Sequence, residues 1–154
     1  MNIGLIIHSQ TEHTLSVAEK LQKKLAAAGH TVTLERLETE GEVRPGVNLK
    51  SVPSVENYDA VAFGSPVHGF ALSLAMQTYL RQVPSLAGKR VACFVTQSFP
   101  FAWMGGNNAL HQMRRAVEAK GAQVRGSGVV NWSRRSRERQ IAEVVDRLSR
   151  CLPS

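Results

Sequence analysis

The sequence predicts an α/β fold of three layers, in which a parallel sheet of five strands lies between helices. Five short, mostly apolar segments recur along the chain, and stretches with apolar residues three or four positions apart separate most of them. Buried strands that alternate with amphipathic helices are typical of a parallel sheet covered on both faces. Doubly wound sheets of this size commonly have the strand order 2-1-3-4-5, which we expect here.

The first half of the chain supplies three of the strands. Residues Asn2–His8 and Asp59–Gly64 are apolar runs, and residues Thr31–Leu37 alternate apolar with polar side chains. Apolar residues at helical spacing from Thr14 to Ala28 predict a helix, and Gly29 follows it as a C-terminal stop.

The second half continues the alternation of helices and strands. Residues 38–57, rich in Glu, Gly and Pro, predict irregular structure with at most a short helix. Apolar spacing then predicts a helix over 72–83, and later helices over 110–117 and 141–152. Apolar runs predict strands at 90–96 and 123–132.

Length and composition restrict the class of protein. We expect one domain, residues 1–154, with an ordinary balance of 43% apolar and 20% charged residues. No apolar run approaches the roughly 20 residues of a spanning helix, and the first residues resemble a strand rather than a signal peptide. Cys93 and Cys151 form no metal-binding spacing, so neither a disulfide scaffold nor a cysteine-based zinc site is predicted. We expect a cytoplasmic protein.

The positive charge is concentrated in the last third of the chain. Residues 1–113 carry 9 − 8 = +1, and residues 114–154 carry 10 − 4 = +6. Four of the arginines are Arg134, Arg135, Arg137 and Arg139. They indicate either an anionic partner or a solvated helix face. We favour the solvated face and predict no nucleic-acid binding, because no nucleic-acid motif or interleaved aromatic residues accompany them.

The loop after the first strand is suited to a phosphate. Ligands of such folds lie beyond the carboxyl ends of the strands, between strands 1 and 3. Residues 8–14 read His-Ser-Gln-Thr-Glu-His-Thr and lead into a helix, whose N-terminus offers free N–H groups to an anion. An alternative stays open, because Ser9 and Glu12 also match a capping box that merely satisfies backbone donors.

Two further loops reach the same edge. Residues 64–70 contain two glycines, Pro66, His68 and Phe70, and residues 96–107 contain Phe99, Phe101 and Trp103. The aromatic residues of the later loop form either a ligand or partner surface, including a homodimer contact, or a local core. The chain lacks the glycine motifs of P-loop nucleotidases and dinucleotide-binding proteins, and no acidic pair follows the first strand.

Three patterns at these loops together resemble the flavodoxin-like family of FMN-binding proteins. They are Ser9-x-Thr11-x-x-Thr14, Gly64-Ser65-Pro66-Val67-x-Gly69, and Thr96-Gln97 with Gly105-Gly106. The resemblance implies that the FMN phosphate binds to Ser9, Gln10, Thr11, His13 and Thr14. It implies that the flavin ring lies against Pro66, Val67, His68 and Gly69, and that its pyrimidine end borders Thr96, Gln97 and Ser98. No catalytic side chain is predicted, and the scattered residues His8, His13 and His68 predict no metal site.

One position departs from the family pattern. Glu12 and His13 stand where the family usually has glycine and asparagine. A carboxylate would repel a phosphate unless Glu12 turns toward solvent, whereas His13 could donate a hydrogen bond to it.

The resemblance implies electron transfer through noncovalent FMN, with two roles to compare. The basic charge and the aromatic loop favour an oxidoreductase that takes electrons from NAD(P)H and passes them to a small acceptor such as a quinone. The alternative is a one-electron carrier between redox proteins. A flavin-free binding module on the same fold is a third interpretation, prompted by Glu12.

Overall fold

The computed structural model describes residues 1–154 and contains six strands and four helices. The strands are β1 Asn2–Ile7, β2 Thr31–Arg36, β3 Ala60–His68, β4 Ala71–Leu72, β5 Arg90–Gln97 and β6 Gln123–Asn131. The helices are α1 His13–Ala27, α2 Leu74–Gln82, α3 Gly106–Ala119 and α4 Arg137–Cys151.

Five of the strands form a parallel sheet in the order β2-β1-β3-β5-β6. Without the short β4, this is the order 2-1-3-4-5, so the predicted topology is confirmed. The register pairs Ile7 with Gly64, Pro66 with Thr96, and Gln97 with Asn131. The carboxyl ends of β1, β3, β5 and β6 therefore meet at one edge of the sheet, called here the carboxyl edge.

The sheet separates two apolar cores of 17 buried residues each. Alternate residues of each strand point to opposite faces, so Leu5 and Ile7 join one core while Ile6 joins the other. Helices α1 and α4 cover the first face, and α2 and α3 cover the second. Burial on both faces explains why the central strands are almost continuously apolar.

A glycine in β3 allows close packing within the first core. A Cβ at Gly64 would lie 2.2 Å from the ring of Phe94 on the neighbouring strand, a contact that no side chain could make. The glycine thus leaves space for a large ring immediately below the carboxyl edge.

The structure differs from the predicted elements between residues 64 and 74. Strand β3 continues to His68 and then turns back, with Val67 opposite Leu72 and His68 opposite Ala71. Leu72 therefore belongs to β4 and not to the helix predicted over 72–83. Helix α2 begins only after Ser73, whose hydroxyl accepts the N–H of Met76 as an N-cap.

Residues 38–57 form no helix, and their pairing is limited to an isolated bridge between Thr39 and Leu49. None of the helices combines the length and the apolar character that crossing a membrane would require.

Candidate functional site

The loop between β1 and α1 presents a row of unpaired backbone donors. None of the N–H groups of residues 10–14 donates to an acceptor in the protein, whereas the N–H of Leu15 donates to the Ser9 hydroxyl at 3.2 Å. These donors lie at the N-terminus of a helix of 15 residues, where the helix dipole adds a partial positive charge. The loop therefore forms a cradle of free N–H groups, and its own sequence contains no lysine or arginine.

Glu12 holds the left-handed conformation that shapes this cradle. Its φ is 67°, a region that costs most residues about 1–2 kcal/mol and that glycine occupies freely. Its carboxylate accepts a hydrogen bond from Arg36 Nη2 at 2.8 Å, and the same nitrogen also donates to the carbonyl oxygen of Ser9. The Glu12 side chain is thus engaged by Arg36, and the capping box considered from sequence does not form.

A pair of hydroxyl groups connects the first loop to β5. Thr14 and Thr96 are almost fully buried, and their hydroxyl oxygens lie 3.0 Å apart. One hydroxyl donates to the other, which leaves the hydrogen of the second available to another acceptor. Two residues predicted for different ends of the site are therefore in direct contact.

The hairpin between β3 and β4 forms the second part of the edge. Its two turn residues, Gly69 and Phe70, have φ values of 56° and 65°, as the tightest β-hairpin turns require. Phe70 is 53% exposed, and its ring stacks on that of Phe99 at a centroid distance of 4.9 Å. Phe70 therefore lies on an exposed hairpin turn.

The hairpin is fixed against the third loop through backbone contacts. A Cβ at Gly105 would lie 2.7 Å from the Cα of Phe70, and Asn108 Nδ2 donates to the Phe70 carbonyl at 3.1 Å. The second and third loops are thus held together at residues 70 and 105.

A buried polar network lies beneath the first two loops. His8 Nδ1 and the Ser73 hydroxyl are 2.8 Å apart, and the Ser65 hydroxyl donates to Ser73 at 3.0 Å. The His8 ring is 6.0 Å from that of His68, edge to face. Burial above all, with the nearby His68 and Arg36, lowers the pKa of His8 to about 4, and burial also lowers the pKa of His68. Both imidazoles are therefore neutral at pH 7.

Gln97 organises the third loop and retains one free acceptor. Its Nε2 donates to the Phe101 carbonyl at 2.7 Å and to Asn131 Oδ1 at 2.6 Å. Its Oε1 is buried without a hydrogen-bond partner. An orphaned buried acceptor is uncommon in proteins and marks a position where a donor is missing.

The aromatic residues of the third loop face solvent. Phe99 is 39%, Phe101 45% and Trp103 74% exposed, and the rings of Phe101 and Trp103 are stacked 6.1 Å apart. The alternative of a local core is wrong, and a ligand or partner surface stays the interpretation of these residues.

The segment between β6 and α4 extends the edge beyond the three predicted loops. Trp132 stacks on His13 with centroids 4.0 Å apart, and the Arg137 guanidinium lies 5.1 Å from the Trp132 ring centroid. Burial and then Arg137 lower the pKa of His13. The Arg134 guanidinium lies 5.2 Å from the ring centroid of Phe101. Arg134 and Arg135 precede α4 and so lie outside the helix face that we favoured, whereas Arg137 and Arg139 lie in its first turn. Arg134, Arg135 and Arg139 are solvent-exposed, as we expected.

All the sequence-predicted site residues lie at the carboxyl edge, although their contacts differ. Ser9, Thr14, Thr96 and Gln97 are buried, whereas Gln10, Thr11, Ser98 and Gly69 are exposed. Their role toward a cofactor stays a prediction. Sequence reasoning missed three residues that shape the edge, namely Arg36, Ser73 and Trp132.

Comparison with known proteins gives one family and many structures of the same fold. The model of the family described as flavodoxin matches residues 5–143. No curated protein matches the sequence.

Three solved structures illustrate the likeness of fold. A flavodoxin from Streptococcus pneumoniae TIGR4 shares 13% identity, with a TM-score of 0.71 over 97% of this chain and 99% of that chain. A flavodoxin described as WrbA-like, from Agrobacterium tumefaciens, shares 16%, with a TM-score of 0.70 and 98% of each chain covered. A Fusobacterium nucleatum flavodoxin mutant bound to flavin mononucleotide shares 18%, with a TM-score of 0.59 over 80% of this chain and 66% of that chain.

Proposed function

This chain belongs to the flavodoxin family, whose cofactor is FMN, and we propose that it transfers electrons between protein partners through FMN bound at the carboxyl edge. FMN supplies the redox chemistry when bound, and the protein supplies position, hydrogen bonds and exclusion of water. The observation that carries the proposal is the row of unpaired N–H groups at residues 10–14.

The first loop has the donors that a phosphate group needs. Five N–H groups and the helix dipole favour an anion there. The Ser9 hydroxyl accepts the N–H of Leu15 and so keeps its own hydrogen for another acceptor, as does one of the paired hydroxyls of Thr14 and Thr96. We therefore assign the phosphate to the segment from Ser9 to Thr14.

The contact between Glu12 and Arg36 removes the main objection to a phosphate at this loop. An unpaired carboxylate in the cradle would repel the anion. The Glu12 carboxylate is instead 2.8 Å from Arg36, which also binds the Ser9 carbonyl and so brings a guanidinium to the cradle. The departure from the family pattern at residue 12 is thus compatible with FMN.

The second and third loops fit the ring of FMN. Its pyrimidine end carries an N–H donor, and the buried Oε1 of Gln97 is an acceptor without a partner. Beside Gln97 we assign Pro66, Val67, His68 and Gly69 to the face of the ring, and Thr96 and Ser98 to its pyrimidine end. The neutral imidazoles of His8 and His68 add no charge to this environment at pH 7. No side chain is required as a nucleophile or general base, and none is assigned as catalytic.

The visible spectrum of the purified protein tests the cofactor. We expect a yellow protein that releases FMN on unfolding and that, as apoprotein, binds FMN more tightly than riboflavin, which lacks the phosphate. A colourless protein that takes up neither compound would overturn the proposal and support the flavin-free module. Equal affinity for FMN and riboflavin would show that residues 10–14 do not bind a phosphate.

A second role, reduction of a small acceptor such as a quinone with electrons from NAD(P)H, is supported by the exposed rings of the third loop. Phe99, Phe101 and Trp103 offer surfaces on which a flat nicotinamide or quinone can pack. Mixing the FMN-loaded protein with NADH or NADPH without oxygen distinguishes the roles. Rapid bleaching of the flavin supports the reductase, and stable colour supports the carrier.

A further inference from the structure

A basic and aromatic surface borders the site on the side of β6 and α4. We call it the basic rim, and its members are Phe101, Trp103, Trp132, Arg134, Arg135 and Arg139. It is continuous with the phosphate loop, because Trp132 stacks on His13 at 4.0 Å, and with the third loop, because Arg134 lies 5.2 Å from the Phe101 ring centroid.

The positive charge of the rim is not neutralised within the protein. No carboxylate lies within 4.0 Å of the guanidinium groups of Arg134, Arg135 or Arg139. Of the nearby acidic residues, Glu12 pairs with Arg36 and Glu138 pairs with Lys20, and Glu143, one turn after Arg139, forms no salt bridge with it. The rim therefore presents a positive potential to solvent beside the proposed cofactor site.

Helix stability does not explain the position of these arginines. They stand before and within the first turn of α4, where the helix dipole disfavours cations. The side chains of Arg134, Arg135 and Arg139 make no hydrogen bond that would compensate for this unfavourable position. A cost of this kind is expected where the charges serve an interaction with another molecule.

The chemistry of the rim favours a protein surface over a nucleic acid. Arginine and tryptophan are enriched among the residues that dominate protein–protein binding energy, and Trp103 is 74% exposed. Phe101 and Trp132 already contact protein groups, because Arg134 and Trp103 pack on Phe101 while His13 and Arg137 pack on Trp132, and no nucleic-acid motif accompanies the arginines.

We propose that the basic rim is the docking surface for an electron-transfer protein with an acidic surface, which it attracts and holds next to FMN. This inference rests on the proposed function, because the rim serves electron transfer only if FMN is bound at the carboxyl edge. Opposite charges raise the rate of encounter, and the exposed rings supply the short-range contact.

The experiment uses the FMN-loaded protein and a purified acidic [2Fe–2S] ferredoxin as the probe. Binding is measured by calorimetry and the association rate by stopped flow, both at low and at physiological salt. The double variant R134E/R135E is expected to lower the association rate by about tenfold or more at low salt, since steering changes rates by about 10–1,000-fold. The loss should shrink as salt rises, because charges farther apart than about 8–10 Å are screened.

The matched control is K23E/R115E, which makes the same change in net charge on α1 and α3. Lys23 and Arg115 are exposed, form no salt bridge and lie in the later turns of their helices, away from the carboxyl edge. We expect this variant to retain most of the association rate. A basic cytochrome c, tested alone as a second probe, should bind more weakly than the ferredoxin.

Three outcomes would overturn the inference. Equal losses in the two double variants would show that net charge matters and the rim does not. Tighter binding of a 20-nucleotide RNA than of the ferredoxin, lost in R134E/R135E, would assign the rim to nucleic acid. No salt-dependent binding of ferredoxin by a yellow, FMN-loaded protein would leave the proposed function intact and reject the docking surface, whereas absence of FMN rejects the proposed function itself.

Discussion

Two of the helices that begin at the carboxyl edge, α1 and α4, have N-termini that are built in opposite ways. The N-terminus of α1 offers free backbone donors with no lysine or arginine in its first turn, whereas the N-terminus of α4 is crowded by four arginines. The first arrangement suits a small anion that enters a cradle of N–H groups. The second places cations where the dipole opposes them, and the exposed Arg134, Arg135 and Arg139 suit a large partner with an acidic surface. Two neighbouring helix starts can thus divide the tasks of cofactor binding and partner binding.

The largest expected effect concerns His8, the buried and neutral imidazole beneath the loop that precedes α1. The folded protein lowers the pKa of His8 from 6.5 to about 4, so the unfolded chain binds the proton more readily and acidification favours unfolding. This stability is present above pH 6.5 and is lost toward pH 4. Between pH 7 and pH 5 we expect the free energy of unfolding to fall by about 2 kcal/mol from His8 alone.

Urea unfolding at the two pH values measures this fall, and NMR titration of the imidazole gives the pKa directly. The variant His8→Asn should depend less on pH in this interval. An imidazole that titrates near 6.5 would contradict the burial of His8 as a neutral group and would place a cation beneath the first loop.

The second effect concerns the hydroxyl pair that joins the first loop to β5. Thr14→Val keeps the shape of the side chain and removes the hydroxyl that contacts Thr96 at 3.0 Å. We expect the Kd for FMN to rise by about tenfold, since a lost hydrogen bond to a charged group costs about 1.5–3 kcal/mol and Thr96 retains part of it. Fluorescence titration of the apoprotein measures the Kd.

The comparison with riboflavin makes this prediction specific. Riboflavin binding should change little in Thr14→Val, because that compound has no phosphate. Thr78→Val, at another buried threonine on α2, serves as the control for loss of a hydroxyl. Equal losses of FMN and riboflavin affinity in Thr14→Val would mean that Thr14 shapes the loop without serving the phosphate.

A smaller effect is expected at Glu12, where conformation and charge can be separated. Glu12→Gly removes the cost of a φ of 67° and should raise the free energy of unfolding by about 1 kcal/mol, with FMN bound equally well or more tightly. Glu12→Gln removes the charge and keeps the strained conformation, so it should leave stability nearly unchanged. Thermal unfolding and FMN titration of both variants provide the measurements. Much weaker FMN binding in Glu12→Gly would show that the pair with Arg36 is a necessary part of the cradle.

The smallest expected effect concerns the N-terminus of α4. Arg139→Glu places an anion in the first turn of α4 and should stabilise the protein by a few tenths of a kcal/mol, because repulsion from Glu143, four residues later, offsets part of the gain from the dipole. Arg115→Glu, the same change in the later part of α3, should not, and the difference in Tm between the two variants isolates the dipole. If Arg139→Glu is destabilising, the arginines support the helix, and their position ceases to argue for a partner.

The sequence was sufficient for the order of the sheet because burial on both faces produces runs such as Ile3–Ile7, which need no knowledge of distant contacts. It was insufficient for the β3–β4 hairpin. The turn residues Gly69 and Phe70 do not have the Asn-Gly or Asp-Gly pattern that marks such turns, and Leu72 has the same helical spacing as Met76.

The candidate site also contains residues that the sequence could predict and residues that it could not. Ser9, Thr11 and Thr14 lie close in sequence, so their pattern could be recognised before the structure was known. Arg36 meets Glu12 across 24 positions, and Trp132 meets His13 across more than a hundred. No spacing rule predicts such pairs, because the register of the sheet brings them together.

The close approach of residue 105 to residue 70 has a mechanical consequence. A single added carbon at Gly105 would collide with the Phe70 backbone, and the Asn108 side chain donates a hydrogen bond to the Phe70 carbonyl, so the two turns pack without a gap and are linked. A flat molecule that separated them would have to break that hydrogen bond and the packing of both turns. The amide protons of both turns should therefore exchange with solvent at a common rate. In the FMN-loaded protein that exchange should be slower for both turns than in the apoprotein.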